Sequence, residues 1–415
     1  MRTIGIQHRV KFSKEGEALP TSVAILDGDR WSKLSLATET DEFYWLRGQY
    51  PLSYRKVASK SDLDNAVLFY VKWKKVSETV GLDTELLKQV GKDWYIASDV
   101  PSAYQGLQTG DQVAMVLGGS GDNLAYALAR QAKLVDATIL RIPPFSLPVD
   151  RDVKEEARNL AKLLLEQPEL FYSIEPRDLA VIELRECYRA RIEAMKARIG
   201  AEARLQQRLT GQVLRQKFGS NFEGSIEAQF DLRKTNDRVL LALAAEENDR
   251  EKELIKCIKQ VPIYQKIFEP ITGVGPMIAA RLISAIIDVR RFSKKAKLVK
   301  FCGVHVLPDG RFVRRRNGEV ANWHNDARQA LYLIGDQFNR RPNSEWGIEL
   351  RAAKVRLRQI HPEVVTNDKG KKLYTDGHIH KMATWRTLTR FVEHLYKVWW
   401  ELEGGQKTVA ESEVA

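Results

Sequence analysis

Residues Glu269–Val304 read EPITGVGPMIAARLISAIIDVRRFSKKAKLVKFCGV. Two glycines stand in the turn Ile271-Thr272-Gly273-Val274-Gly275-Pro276. An apolar helix from Met277 to Ile287 is predicted next, with Ala279, Leu282, Ile283 and Ile286 on one face. A second, basic helix is predicted from about Ser293 to Phe301 and opens on Lys294 and Lys295. The pattern is that of a helix-hairpin-helix. Glycine reaches positive φ without strain and lets another group approach the main chain. Pro276 suits the first helical position, where its missing N–H is no loss. The free N–H groups of a helix start favour an anion. Gly273, Val274 and Gly275 are therefore expected to grip a nucleic-acid backbone without reading its sequence. The same residues also fit an αα-hairpin whose glycines serve close packing alone.

The rest of the chain supports a polyanionic partner. The 415 residues carry a net charge of +12, with basic residues crowding the C-terminal third. Such a balance steers polyanions and gains from counterion release. An apolar content of 44% is that of a soluble protein. No apolar run approaches a membrane span, and the N-terminal MRTIGIQHRV reads as a strand, not a leader. Cys187, Cys257 and Cys302 lack metal-ligand spacing and suit buried thiols in a reducing cytosol.

Residues 1–150 read as an α/β domain. Strands are expected at Arg2–Ile6 and Ser22–Leu26, with a hairpin at Asp27-Gly28-Asp29 and a return strand from Trp31. An aromatic and charged segment follows to about Gly110. A buried strand, Gln112–Leu117, leads through Gly118-Gly119-Ser120-Gly121 into a helix near Asp122 and a further strand, Asp136–Ile142. The glycine run lacks the Lys-Ser/Thr of a Walker loop and reads as a strand-to-helix turn. Three strands and then strand–helix–strand fit an RNase-H-like or RuvC-like mixed sheet, and several nucleotide-binding folds as well. Residues 151–260 read as an antiparallel coiled-coil arm, its seam running through Tyr188, Ile192, Met195 and Ile199. The arm suits either internal packing or homo-oligomerisation. Residues 261–403 form the hairpin domain, with a β-hairpin at Asp309-Gly310, a basic loop of Arg314, Arg315 and Arg316, and later helices that mix basic and aromatic residues. Residues 404–415 read as a disordered tail.

This order of parts resembles the insertion-sequence "one-ten" transposases, DEDD-type recombinases related to the Piv invertases. The likeness lies in the hairpin turn, in Ala279, Ala280 and Leu282, in Arg291-Phe292, and in Phe301-Cys302-Gly303-Val304. It continues in Ala327-Arg328-Gln329-Ala330-Leu331, similar to the family's Leu-Arg-x-x-Leu helix, and in Gly377-His378-Ile379-His380-Lys381-Met382-Ala383. The resemblance implies DNA as partner, a structured guide RNA in some members, and a cytoplasmic setting. It also implies four acids that bind Mg²⁺ and a Ser that attacks the phosphodiester. Clustered carboxylates hold such hard cations, and a hydroxyl nucleophile keeps the strand covalently attached.

The chain departs from that pattern where chemistry would occur. Gln7, with His8 next, stands where the first Asp belongs, and Val116 or Leu117 where the Glu belongs. Asp152 and Glu156 approximate the final acid pair; four residues apart, they are expected to share a helix face. Their other role is to complement a helix dipole. No Ser or Thr occurs between Ser293 and Ser344, so the nucleophile is unassigned. Tyr332 is expected in the core, and Cys302 as a buried thiol. Three readings follow: an active recombinase, a nucleic-acid-binding derivative without strand transfer, and an RNA-binding scaffold with a helical middle.

Overall fold

The computed structural model describes residues 1–9, 20–119, 121–150, 152–215, 225–307, 312–314, 321–366, 370 and 372–404. It divides into two compact units, Met1–Ile174 and Glu175–Ala415.

The first unit is built on a mixed sheet. Strands β1 (Arg2–Gln7), β2 (Thr21–Asp27) and β3 (Arg30–Leu36) run antiparallel, β2 and β3 being joined by the two-residue Gly28-Asp29 turn. Helix α1 (Glu39–Leu46) follows, closed at its start by a Thr38/Asp41 capping box. The aromatic and charged segment then forms a second sheet, made of β4 (Tyr50–Lys56), β5 (Lys72–Val76), β6 (Leu87–Val90) and β7 (Asp93–Gln105), with the short helix α2 (Lys60–Asp64) between β4 and β5. Its strand order is β4-β7-β5, with β6 also on β7, around Leu63, Val71, Leu86, Ala97 and Val100. The chain returns to the first sheet through β8 (Gln112–Val116), helix α3 (Asp122–Val135) and β9 (Thr138–Ile142). Strand β8 is parallel to β1, and β9 parallel to β8. After α4 (Glu156–Glu166), the two-residue β10 (Tyr172–Ser173) completes the order β10-β9-β8-β1-β2-β3. The central strands are buried on both faces: Ile4, Ile6, Val23, Ile25, Val113 and Met115 are buried, and so are Thr3, Ala24 and Ala114 between them. Helix α4 lies on β1 at Gly5, where an added Cβ would meet the Ala157 carbonyl oxygen at 1.8 Å.

The second unit is mostly helical. Helix α5 (Pro176–Leu214) starts with a Glu175/Asp178 capping box and Pro176 in its first turn. The returning stretch is two helices, α6 (Ile226–Lys234) and α7 (Arg238–Ile258), where one was expected. Asp237 explains the break, since its carboxylate accepts from the N–H groups of Val239 and Leu240 and starts a new helix. Helices α5 and α7 are antiparallel: Cys187 meets Cys257, Arg191 meets Glu247 and Glu251, and Arg198 meets Glu247. The buried line on α5 runs through Tyr188, Ala194, Ala201, Leu205 and Leu209, whereas Ile199 is 50% exposed. Alanines and leucines share the buried line, and Arg–Glu pairs between the helices fix the register.

Helices α8 (Pro276–Ile286), α9 (Lys295–Phe301), α10 (Asn325–Arg340), α11 (Glu345–Ile360) and α12 (Asp376–Leu402) enclose one core. A two-stranded ribbon, β11 (Val365–Thr366) and β12 (Lys372–Leu373), stands in the polar stretch before α12. Helix α8 supplies Ala279, Leu282, Ile283 and Ile286, all fully buried, which accounts for its apolar sequence. It ends on Ile287 at φ 67°, in a tight turn closed by the Asp288 N–H on the Ile286 carbonyl. That turn delivers the buried Arg290, whose guanidinium binds Asp288 at 2.7 Å and Asp178 at 2.6 Å and lies 3.7 Å from Glu403. One arginine thus ties the start of α5 to the end of α12. The Asp309-Gly310 tip, Arg315, Arg316 and the tail from residue 405 lie outside the described residues. Val306 and Phe312 on either side of the tip pair as an antiparallel bridge.

Candidate nucleic-acid interface

The glycine turn is approached closely by a side chain of the same unit, that of Arg341. Gly273 takes φ 95°, a conformation open to glycine and strained for other residues. Val274 between the glycines is buried and anchors the turn in the core. Gly275 is the N-cap of α8 and offers no capping side chain, so the N-cap residue itself satisfies none of the first N–H groups of that helix. Thr272 is exposed, and Gly273, Gly275, Met277 and Ile278 are half-buried. The Arg341 side chain crosses the turn, its guanidinium carbon 2.9 Å from where a Cβ on Gly273 would stand. A fixed cation therefore lies beside main chain that favours an anion. Sequence reading missed Arg341, because nothing local marks a residue at the far end of α10 as a neighbour of the turn.

The lysines lie at the next helix start. Lys294 is the N-cap of α9, and Lys295 and Lys297 fill its first turn, all exposed, with no acid among them. Cations at that end of a helix oppose the dipole, where acids would stabilise it. Arg314 is exposed as well. Its neighbour Val313 is held through its carbonyl by Arg328 at 2.7 Å, and Arg328 lies against the faces of Trp323 and Trp385 at 4.1 and 5.0 Å. Arg328 is thus a positioning residue for the strand that leads into the basic loop. Its role was hidden in the sequence, since it needs Trp385 from another helix.

The acids are placed differently. Asp152 is exposed in a turn before α4, where its carboxylate accepts from the Lys154 N–H. Glu156 is buried at the first residue of α4. Helix α4 begins only at Glu156, so the four-residue spacing does not run along one helix face. At the end of β1, His8 approaches Glu42 at 3.7 Å, and Glu42 also accepts from Thr21 at 2.5 Å. Burial lowers the His8 pKa, and the nearby Glu42 opposes that shift. Leu117 is buried beyond β8, and the buried Arg141 on β9 lies 3.9 Å from Asp122. A divalent cation needs several converging oxygen donors. Among the described residues no group of three or more His, Cys, Asp or Glu side chains converges in that way. Asp152 and Glu156 as placed do not fit such an ion.

Two side chains weighed as nucleophiles also have defined settings. Cys302 is fully buried, which pushes its thiol pKa up. Tyr332, expected in the core, is 66% exposed instead. It lies on α10 between buried Leu331 and exposed Leu333, and the inward stripe runs through Ala327, Ala330, Leu331 and Ile334.

A mixed-sheet unit is followed in the chain by a helical unit that carries a glycine turn with cations around it. Residues 265–345, which span the turn, the lysine-bearing start of α9, the Arg314–Arg316 stretch and α10, match the model of the transposase IS116/IS110/IS902 family. The chain's likeness to an IS110-type transposase rests on that segment. No curated protein matches the sequence. No helix among the described residues is long and apolar enough to cross a membrane.

Proposed function

We propose that the protein is a transposase-type protein of a mobile element that grips the DNA backbone through its helical unit. The observation that carries this reading is the family match over residues 265–345, which contain the uncapped start of α8 beside Arg341. Exposed lysines at the positive end of α9 support it, because they cost helix stability unless an anion sits there. The order of the first sheet supports an RNase-H-like or RuvC-like N-terminal domain: three antiparallel strands, then two parallel to β1. Exposed Leu232, Val239 and Leu241 on α6 and α7 support self-association through the arm. A structured RNA remains a second candidate polyanion, and the prokaryotic cytosol or nucleoid is the setting that suits both.

The test is binding of a short DNA duplex across a salt series. Each phosphate that the protein ceases to neutralise reduces the slope of log K against log salt by about 0.9. Replacing Arg314, Arg315 and Arg316 by Ala is expected to lower the slope by up to about 3. A wild-type slope in that variant would remove the basic loop from the phosphates.

A second reading is favoured by Gln7, Leu117 and the Arg141–Asp122 pair in the first unit. It keeps the nucleic-acid grip and has no metal-dependent strand transfer. Calorimetric titration with Mn²⁺ checks it: no specific heat is expected, and saturable binding abolished by Glu156→Gln would overturn it.

A further inference from the structure

The groove between α11 and α12 holds a cavity of about 380 Å³, within the range of small-ligand sites. Leu357, Ile360 and Val306 give it an apolar side, and Ile360 and Val306 are largely exposed. Arg356, Arg386 and Arg390 line it together with one carboxylate, Glu349. Glu349 already serves both Arg356, at 3.0 Å, and Arg390. Arg386 makes no ion pair among the described residues, so the groove keeps an excess of positive charge.

Thr387 gives the second, independent observation. It lines the same groove, is 1% exposed, and its hydroxyl has no hydrogen-bond partner among the described residues. A buried hydroxyl left unpaired is costly. A helical threonine has an easy remedy in the carbonyl four residues back. Thr384 takes it on the His380 carbonyl at 2.9 Å, and Thr389 on the Trp385 carbonyl at 3.0 Å. Thr387 on the same helix does not.

We infer that this groove takes one unpaired nucleotide of a nucleic-acid strand. Its phosphate lies on Arg386 and the flanking arginines, its base lies on the apolar side, and one polar atom satisfies Thr387. Arginine suits phosphate because its planar fork donates in pairs. A base held within a duplex cannot reach the apolar side, so the site selects unpaired strands. This inference rests on the nucleic-acid reading above.

The experiment compares a labelled oligothymidylate with a blunt duplex of equal length, by fluorescence anisotropy on the full chain. The proteins are the wild type, Thr387→Val and Arg386→Gln. Thr387→Val keeps shape and removes the hydroxyl; it is expected to weaken the single strand about three- to tenfold. Arg386→Gln, at an exposed position, is expected to weaken it about tenfold or more. Duplex affinity should change less than about twofold in both, a difference small against the roughly tenfold worth of a charged contact. If Thr387→Val melts higher and binds the single strand like the wild type, the hydroxyl is a packing defect and the inference fails. Equal losses for strand and duplex also overturn it, as does duplex binding with no single-strand binding. That last result leaves the backbone grip intact, whereas binding of neither probe removes both.

Discussion

Gly5, Gly273 and Arg290 show how far single positions are constrained. A methyl on Gly5 would press into the Ala157 carbonyl at 1.8 Å, and both partners are main chain of packed elements. Gly5→Ala is expected to destabilise the first unit by about 3 kcal/mol, as overpacking of rigid neighbours does. Denaturant unfolding followed by circular dichroism measures it, and a change within error would mean that α4 can slide on β1. Arg290 faces Asp178, Asp288 and Glu403 in a buried setting, so removing it leaves carboxylates without compensation. Arg290→Met is expected to cost about 3–5 kcal/mol. The glycines of the turn could be singled out from spacing alone, because a Gly-x-Gly-Pro step before an apolar run has a local cause. Arg341, Arg328 and Thr387 could not. Their roles depend on partners brought by the fold from other helices, and no local pattern encodes such partners.

Elements were legible where one period dominated. Helix α8 and strands β1, β2, β8 and β9 follow from mostly apolar segments bounded by turn signals. The second sheet did not, and its register shows why. Strand β4 exposes Leu52 through Lys56 consecutively, and the β4–β7 and β5–β7 ladders are both interrupted by bulges. Bulges destroy the two-residue alternation on which strand reading depends. The arm was legible as helix and only in part in its seam: Tyr188 is buried as expected, whereas Ile199 faces outward and Ala194 and Ala201 take places in the buried line. Asp237→Ala is expected to cost about 1 kcal/mol, the worth of an N-cap, and to loosen the α6–α7 junction. Faster amide exchange at Val239 and Leu240 would report it. The arm also brings together two thiols that looked unrelated in the sequence, with Cys187 and Cys257 sulfurs 2.9 Å apart. A small-molecule disulfide oxidant is expected to join them, taking up two electrons and two protons as it is reduced to its thiols. Burial holds the Cys187 thiol up at about 12, so the step should be slow near neutrality and quicken with rising pH. Mass spectrometry of a Cys257→Ser variant, which should show no such internal link, is the control.

At the scale of the whole molecule, charge sets the partner and proton linkage offers a check on it. His305 is held below its ordinary pKa by burial and by Lys300 and Arg328. His380 is lowered likewise by burial and by Lys354 and Lys381. Each ring also has a buried Nδ1 without a partner among the described residues. For folding, a depressed histidine gives stability that is present above its unfolded value and is lost as pH falls through the folded one. Melting should therefore decline on mild acidification of the free protein. A bound polyanion reverses the electrostatics by offsetting those lysines and arginines, which raises both histidines relative to the free state. Binding then takes up protons, and affinity must increase as pH falls from neutral through the imidazole range. The window closes below the lowered free-state values, where both states are already protonated. Duplex titrations at constant ionic strength in buffers of different ionisation heat measure this uptake directly. A double His305→Gln, His380→Gln variant should flatten the pH dependence while leaving most of the salt slope, which belongs to lysine and arginine contacts. Proton uptake unchanged in that variant would place the bound strand away from these histidines, and with it the cationic face on which the DNA reading depends.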